Sequence, residues 1–361
     1  MSNEDSSMNI VKELSKLVTG LFVILLMSSC GETSSDQLVV YSGRSQALVE
    51  QLVADFKAET GVDIEVRYGN DAELLAVLSE EGDQSPADVY WANTTGALAN
   101  ASQQGRLATL PDTLANKPDS YTAASGEWVP VTVRFRVLAY NPSAVDADDL
   151  PDSVLDLPEM NELDGRIGWT PTYSSFYDFM TTMRLNEGED DAREWLNEMQ
   201  ELNPKAYSSN TPMIQAILGG EIDVGLTNHY YVIQTKYGGK EGYFEDHEHY
   251  GEEGPDPDAN IETYHFAEGD IGNLALVTGA SVLQTADHPE LGHRFLDFLL
   301  SKKAQEYAAT SVNEYPVMDN VTLPDYMLDA EKAIRLSPDY DYEQLQQLEG
   351  TLNLLREAGI I

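Results

Sequence analysis

The sequence has a single cysteine, Cys30, and no apolar run long enough to span a bilayer comfortably. With one cysteine the chain forms no internal disulfide, so its stability must come from a hydrophobic core. Motifs of three enzyme classes are also missing: the Gly-x-Ser-x-Gly turn of hydrolases, the phosphate-binding loop and the His-Glu-x-x-His zinc motif. These absences argue against catalysis and favour a binding role.

Basic residues are scarce: 21 Lys and Arg stand against 62 Asp and Glu, which gives a net charge of −41. Nucleic acid is excluded as a partner because its phosphates would be repelled. The acidic residues are spread along the whole chain, a pattern typical of halophilic proteins, whose hydrated carboxylates keep them soluble in concentrated salt. The 361 residues, 42% of them hydrophobic, suffice for one large or two medium domains.

The N-terminus predicts export. Lys12 and Lys16 precede a short apolar run at 17–27, which is followed by small residues and Cys30. A basic segment, an apolar core and small residues make a secretory signal. The position of Cys30 resembles a bacterial lipoprotein box, in which the cysteine is lipidated and becomes the mature N-terminus. A plain secretory signal is the alternative.

This interpretation assigns residues 1–30 to a lipoprotein signal peptide and residues 31–37 to a tether. Translation starts at Met1 or Met8, since the first seven residues are acidic and unlike the beginning of a signal. We expect the protein in the periplasm or on the outer face of the cell membrane. It would meet the membrane only through a lipid on Cys30.

Strand and helix patterns alternate from residue 38 to residue 105, which predicts a parallel sheet with helices on both faces. The β-branched run at 128–140 is long enough to pass from one domain into another, and the apolar run at 274–283 returns the chain to the first sheet. Helical patterns follow at 291–309 and 326–358. Two α/β lobes joined by extended crossings enclose a cleft, where small ligands prefer to bind.

Two adjacent tyrosines, Tyr230 and Tyr231, follow the predicted strand at 221–226. The carboxyl end of a strand is where α/β sheets bind ligands, and a loop beginning at Asn228 would let both rings turn toward one ligand. Phenolate oxygens are hard, anionic ligands that suit ferric iron. The alternative is that the two rings only pack in the core.

Several segments, in this order, resemble the ferric-ion-binding proteins that deliver iron to ABC transporters. The resemblance covers most of the chain after the signal. The order and spacing of the segments are more specific than any one of them. The matching segments are Val39–Arg44, Phe56–Ile64, Ser85–Val89, Arg134–Asn141, Asn228–Tyr231, Gly269–Asp270, Phe295–Ser301, Gln305–Tyr307 and Glu314–Val317.

The resemblance implies a type II periplasmic-binding-protein fold, which has two α/β lobes, a hinge and a ligand cleft. It places residues 38–137 and 265–312 in a discontinuous N-lobe, and residues 138–264 and 313–361 in the C-lobe. The implied protein is a monomer that binds ferric ion with carbonate or another synergistic anion and passes the iron to an ABC permease.

The resemblance also implies the metal ligands. Tyr230 and Tyr231 would supply phenolates from one lobe, and Tyr41 a third from the facing lobe. Tyr177 falls near the position where some members place a further tyrosine, and Tyr173 is its rival. If neither Tyr41 nor Tyr177 faced the cleft, the tyrosine pair alone would be too few ligands for tight binding.

Arg134 matches the arginine that pairs with the bound anion, and Asn210 and Asn228 match anion-contacting positions. Ser45 and Asn93 stand where many members have a histidine and a glutamate. The sequence therefore predicts a tyrosine-rich site with a synergistic anion instead of a histidine–glutamate site.

Two other interpretations compete with ferric iron. The same fold carries organic and anionic solutes of the thiamine, polyamine or phosphonate type, and Trp91, Trp169 and Tyr173 are candidates to stack on an organic ring. His247 and His249 lie in an acidic stretch that resembles a metal-binding tract. With only six histidines in the chain and many carboxylates nearby, we interpret that stretch as a solvated loop.

Overall fold

The computed structural model of this protein describes residues 37–118, 121, 123–239 and 254–361. The predicted signal peptide, Cys30, nearly all of the tether, and the loop histidines His247 and His249 lie outside these residues. No helix among the described residues is both long and apolar enough to cross a membrane.

The first half of the fold alternates strands and helices as the sequence predicts. Helix α1 buries Leu48, Leu52 and Phe56 on one face and ends at Gly61, whose φ of 73° suits glycine. The elements are β1 (Gln37–Ser42), α1 (Gln46–Thr60), β2 (Asp63–Tyr68), α2 (Asp71–Glu81), β3 (Val89–Ala92), α3 (Thr95–Gln103), α4 (Asp112–Ala115) and the long strand β4 (Val129–Tyr140).

The second half contains a shorter parallel set of strands with helices between them. Its last helix corrects a prediction: residues 229–237 form a helix where the sequence predicted a loop. The elements are β5 (Ile167–Trp169), α5 (Ser174–Asn186), α6 (Glu189–Glu201), β6 (Lys205–Ala206), α7 (Asn210–Leu218), β7 (Val224–Asn228), α8 (His229–Tyr237) and β8 (Glu262–Tyr264).

The C-terminal third returns to the first half of the sheet and then crosses again. The helices predicted at 291–309 and 326–358 are each interrupted: Ser301 caps a new helix, and Pro338 follows the end of another. The elements are β9 (Ala275–Val282), α9 (Pro289–Leu299), α10 (Lys302–Tyr307), a π-helical turn (Ala308–Val312), β10 (Tyr315–Pro316), α11 (Ala330–Leu336), a 3₁₀ helix (Tyr342–Gln346) and α12 (Leu348–Glu357).

The strands lie in the order β2-β1-β3-β9-β4-β7-β5-β6, with β10 and β8 also paired to β4. Pairing is parallel between β1 and β3, as predicted, and β5 is also parallel to both β6 and β7. Strands β4 and β9 are antiparallel to their neighbours, so the sheet is mixed. The two strands are antiparallel to each other because β4 takes the chain from the first half to the second and β9 returns it to the first.

Strand β4 changes partner in its middle. Residues 129–135 pair with β9, and residues 136–140 pair with β7. Its inward side chains likewise divide between two hydrophobic cores: Val133 and Phe135 belong to the first and Leu138 to the second. The change of partner between Phe135 and Arg136 makes this strand the physical connection between the halves.

The C-terminal segment contributes to both cores. Tyr315 and Met327 pack in the first core, and Leu354 in the second, although the sequence assigned residues 313–361 as a whole to the C-lobe. The 3₁₀ helix at 342–346 packs on α3, while α12 packs on α5. This segment therefore spans both halves, and the lobe boundaries drawn from the sequence stay a prediction.

Candidate metal and anion site

Tyr230 and Tyr231 occupy the first turn of α8, immediately after β7. Their ring centroids are 4.3 Å apart and the ring planes differ by 31°. Both side chains are buried. Adjacent side chains point about 100° apart around a helix and to opposite faces of a strand, so the helix leaves the two rings close enough to meet.

A third phenol joins this pair from another element. The hydroxyl oxygen of Tyr173 lies 3.3 Å from that of Tyr231, within hydrogen-bonding distance. Tyr173 is the N-cap residue of α5, so the start of this helix directs its side chain toward the pair. Three phenol groups from two elements thus lie next to one another.

Tyr177 lies one turn further along α5. Its side chain is partly buried against the second core, and burial raises the pKa of its hydroxyl while Arg356 lowers it. Among the described residues, no hydrogen bond or ring contact joins Tyr177 to Tyr230 or Tyr231. Its role as a metal ligand therefore stays a prediction.

Tyr41 points elsewhere. Its hydroxyl donates to Glu81 Oε1 at 2.9 Å and accepts from Arg67 Nη1 at 3.4 Å, and its ring packs with Leu74 and Leu78 of α2. Burial, opposed by the Arg67 contact and reinforced by Glu81, raises the pKa of this phenol. The structure does not bring Tyr41 to Tyr230, and its predicted role as a ligand has no support from these contacts.

Two arginines of β4, Arg134 and Arg136, lie on the same face of the strand because they are two residues apart. Arg134 Nη2 donates to the backbone oxygen of Asn93 at 2.9 Å. Arg136 Nη1 contacts Ser175 Oγ at 3.3 Å and Asn228 Oδ1 at 3.2 Å. Both guanidinium groups are buried, with 1% exposed.

Several donors of this group have no acceptor among the described residues. They are Nη1 of Arg134, Nε and Nη2 of Arg136, and Nδ2 of Asn228. The amide of Asn210, at the start of α7, likewise has no partner for its nitrogen or its oxygen. Leaving a buried donor unpaired costs about 1–3 kcal/mol, and more for a charged group. Such a set of donors fits a bound anion.

The electrostatics of Arg136 agree with that interpretation. Burial and then the neighbouring charge of Arg134 lower its pKa to about 9, while Tyr230, Tyr231 and Asp178 raise it. Arg136 thus lies within electrostatic reach of the tyrosine pair and is in a place where an additional negative charge is favourable.

Asn93 links the two halves of the fold. Its Oδ1 accepts from Arg44 Nη1 at 2.7 Å, and its Nδ2 donates to Ser174 Oγ at 3.3 Å, at the start of α5. Arg44 also pairs with the buried carboxylate of Glu314 at 2.7 Å. The Asn93 amide is thus part of a hydrogen-bonded network between the halves, and its correspondence to the glutamate of many ferric-binding proteins stays a prediction.

His229 is a neighbour of the tyrosine pair with both ring nitrogens in use. The Phe135 N–H donates to Nδ1 at 3.1 Å, so the proton is on Nε2, which lies 2.9 Å from the Asn313 carbonyl oxygen. Burial lowers the pKa of His229 to about 4. The ring is neutral, and with both nitrogens engaged it has no lone pair to offer a metal.

A cavity of about 710 Å³ lies between the two halves of the fold and includes Tyr173 and Tyr177 in its wall. Asp178, the next residue of α5, also lines it and is 7% exposed. Burial raises the pKa of Asp178 to about 7, against the lowering effect of Arg134. The cavity therefore adjoins the phenol groups and contains a desolvated carboxyl group.

Sequence reasoning missed Arg136 and ranked Tyr173 only as a rival. The signal for Arg136 was present, since alternate residues of a strand share a face and Arg134 was already a candidate. Tyr173 was not distinguishable from Tyr177, because both precede or begin the same helix and only the side-chain directions separate them.

A two-lobed α/β fold with a cleft lined by buried polar groups defines a type II periplasmic binding protein. Residues 51–333 match the family of bacterial extracellular solute-binding proteins, and the chain belongs to that family.

Three similar proteins show which members of the family this chain resembles. The Fe(3+)-binding periplasmic protein of Serratia marcescens is 29% identical over 346 residues, which cover 94% of this chain and 95% of that protein. The major ferric iron-binding protein of Neisseria meningitidis is 28% identical, over 90% and 93%. The structure of iron-bound HitA from Pseudomonas aeruginosa has 28% identity and a TM-score of 0.78, over 90% and 99%.

Proposed function

We propose that this protein captures ferric iron outside the cytoplasm and delivers it to an ABC permease. The observation that carries the proposal is the group of three phenols, Tyr173, Tyr230 and Tyr231, beside buried guanidinium nitrogens without acceptors. Similar proteins named for ferric iron binding support the choice of metal.

The charges of the site suit a trivalent ion. A free tyrosine has a pKa near ~10, so several phenols ionise together at neutral pH only when a strong cation replaces their protons. Three phenolates neutralise Fe³⁺. In this proposal Tyr173 supplies the third phenolate, for which the resemblance implied Tyr41, and the role of Tyr177 as a further ligand stays a prediction.

The anion would bind next to the metal. Carbonate or another small oxyanion can accept the free donors of Arg134, Arg136, Asn210 and Asn228, and its charge offsets the two buried guanidinium groups. Arg136 extends the anion-binding set that was predicted from sequence.

We further propose that the protein is anchored to the outer face of the membrane by a lipid on Cys30, and that it acts as a monomer. A lipid anchor would keep the binding protein close to its permease, and the acidic surface fits a halophilic habitat. The position of Cys30 in the sequence supports the anchor, and the family resemblance supports the monomeric state.

Adding ferric iron and bicarbonate to the purified protein in concentrated salt is expected to produce a visible phenolate-to-iron charge-transfer band at one equivalent. The matched control is Tyr237→Phe, because Tyr237 lies on the same helix but is 45% exposed and stacks on Tyr326. This variant is expected to keep the full band. A colourless wild-type protein would overturn the ferric assignment and leave the fold unaffected.

Arg136→Met is expected to weaken iron binding and to abolish its dependence on bicarbonate. The loss should be about tenfold to a hundredfold, because the variant removes charge-assisted hydrogen bonds to the anion. Competition with a chelator at several bicarbonate concentrations measures it. Arg193→Met, a change of equal charge at a partly exposed surface position of α6, serves as the control. Unchanged bicarbonate dependence in Arg136→Met would remove Arg136 from the anion site.

A further inference from the structure

The cavity of about 710 Å³ is far larger than a ferric ion and a carbonate need. Cavities of this size ordinarily hold organic ligands, with mostly apolar walls and a few polar groups that set orientation. Here α2 and α3 form one wall, α5 the opposite wall, and the C-terminal segment closes the cavity with Leu345, Leu348 and Leu352. The cavity lies between the two halves, next to the phenol groups.

The cavity and the metal site meet at the start of α5. Tyr173 and Ser174 line the cavity, while the Tyr173 hydroxyl contacts Tyr231 and Ser174 Oγ accepts from Asn93. A ligand bound to iron at the phenols can therefore extend into the cavity without crossing the hydrogen-bonded core of either half.

The charged residues of the cavity wall are both carboxylates, and no basic residue lines it within the described part of the chain. Asp71 is fully engaged: Oδ1 accepts from Tyr90 and from the Asn93 N–H, and Oδ2 accepts from Thr94. Asp178 differs, since no described residue donates a hydrogen bond to its carboxylate, although its side chain is more than nine-tenths buried.

A buried carboxylate without a donor is costly unless a ligand supplies one. The neighbouring guanidinium groups of Arg134 and Arg136 act on Asp178 at a distance but form no hydrogen bond with it. A cationic or N–H group in the cavity would supply the hydrogen bond that the Asp178 carboxylate lacks. An anionic group would be repelled by both Asp71 and Asp178.

We propose that the cavity is a subsite for an organic co-ligand of the iron: a molecule with a bidentate oxygen head on the metal, an apolar body along Leu345 and Leu348, and an amino group on Asp178. This subsite rests on the proposed ferric function, since the head takes the place of the small synergistic anion. The head loses its proton on binding iron, and no electron transfer is involved.

Three hydroxamates test the subsite, because each one carries one more chemical feature than the one before it. Acetohydroxamate has the head alone, hexanohydroxamate adds the apolar body, and aminohexanohydroxamate adds the amino group. Each is titrated by calorimetry into the full-length iron-loaded protein, while the phenolate-to-iron band reports that the metal stays on the tyrosines. We expect the apolar body to improve affinity about tenfold or more, and the amino group by a further factor on the order of ten.

Asp178→Asn, which keeps the side-chain shape, is expected to cancel the advantage of the amino group and to retain that of the apolar body. Asp190→Asn, at a fully exposed position of α6 outside the cavity wall, removes the same charge and should leave both advantages intact. Leu348→Trp fills the cavity and is expected to cancel both advantages.

Equal affinities for the three hydroxamates, or an amino-group advantage that survives Asp178→Asn, would overturn the subsite. So would removal of the iron into solution by each of the longer probes. None of these results touches the ferric function, because the phenolate band with bicarbonate tests that function separately. Absence of the band under every condition would overturn the ferric function itself.

Discussion

Tyr231→Phe is expected to lose the phenolate-to-iron band and at least about a hundredfold in ferric affinity. The variant removes a metal ligand, whereas removal of groups that only orient ligands already costs 10–100-fold in metal sites. It also removes the hydroxyl that contacts Tyr173, so two of the three phenols are disturbed together. Tyr230→Phe is expected to show a loss of similar size. Titration against a competing chelator gives the affinity, and circular dichroism confirms that the fold is retained.

The same titration decides the third ligand. Tyr173→Phe is expected to weaken iron binding strongly and to change the band, because its hydroxyl lies 3.3 Å from that of Tyr231. Tyr41→Phe is expected to leave the band unchanged, because its hydroxyl is engaged by Glu81. If Tyr41→Phe bleached the protein and Tyr173→Phe did not, the ligand set inferred from the contacts would be wrong, and that from the resemblance correct.

Glu314→Gln is expected to lower the free energy of unfolding by about 3–5 kcal/mol, the usual effect of removing one charge from a buried ion pair. Glu314 is fully buried, pairs with Arg44 at 2.7 Å and accepts from Thr132. Its neutral replacement leaves the Arg44 guanidinium buried without a counter-charge. Chemical denaturation at fixed salt concentration measures the loss, and a change below about 1 kcal/mol would contradict it.

The pH dependence of that loss follows from the pKa of Glu314. Burial raises this pKa, but Arg44 and Arg134 outweigh burial and hold it below the ordinary value of 4.5. A depressed folded-state pKa stabilises the protein fully above 4.5, and the stabilisation is lost as pH falls through the lower value. The wild-type advantage over Glu314→Gln should therefore shrink in acid. Glu59→Gln, which breaks an exposed pair with Lys303, should cause no measurable change at any pH.

The first half of the fold was predictable because its signals are local. Helix α1 has its apolar residues on one face and a glycine at its end, and β3 is a short apolar run between turn residues. The mixed direction of the sheet was not predictable in this way. It depends on β4 and β9 pairing across more than a hundred residues, which no local pattern encodes.

The position of the site in the fold could be predicted from the sequence, but most of its side-chain contacts could not. The tyrosine pair follows a buried strand, so its place at the end of β7 could be inferred. The direction of Tyr41 could not, because it depends on Glu81 and Arg67, which approach it from α2 and β2. Tyr173 and Tyr177 differ by one helical turn, and only the assembled helix shows which hydroxyl reaches Tyr231.

The C-terminal segment, residues 313–361, bears on the balance between molecules whose two halves are apart (open) and molecules whose halves are together (closed). Leu345 lies against Gly96 in the first half, and Thr351 bonds to Thr181 in the second at 2.7 Å. Because separating the halves would strain or break one of these attachments, we expect the segment to favour the closed population even before a ligand arrives. Apparent affinity equals intrinsic affinity multiplied by the competent fraction. Residues that never touch iron thus help to set the concentration at which the protein is half saturated.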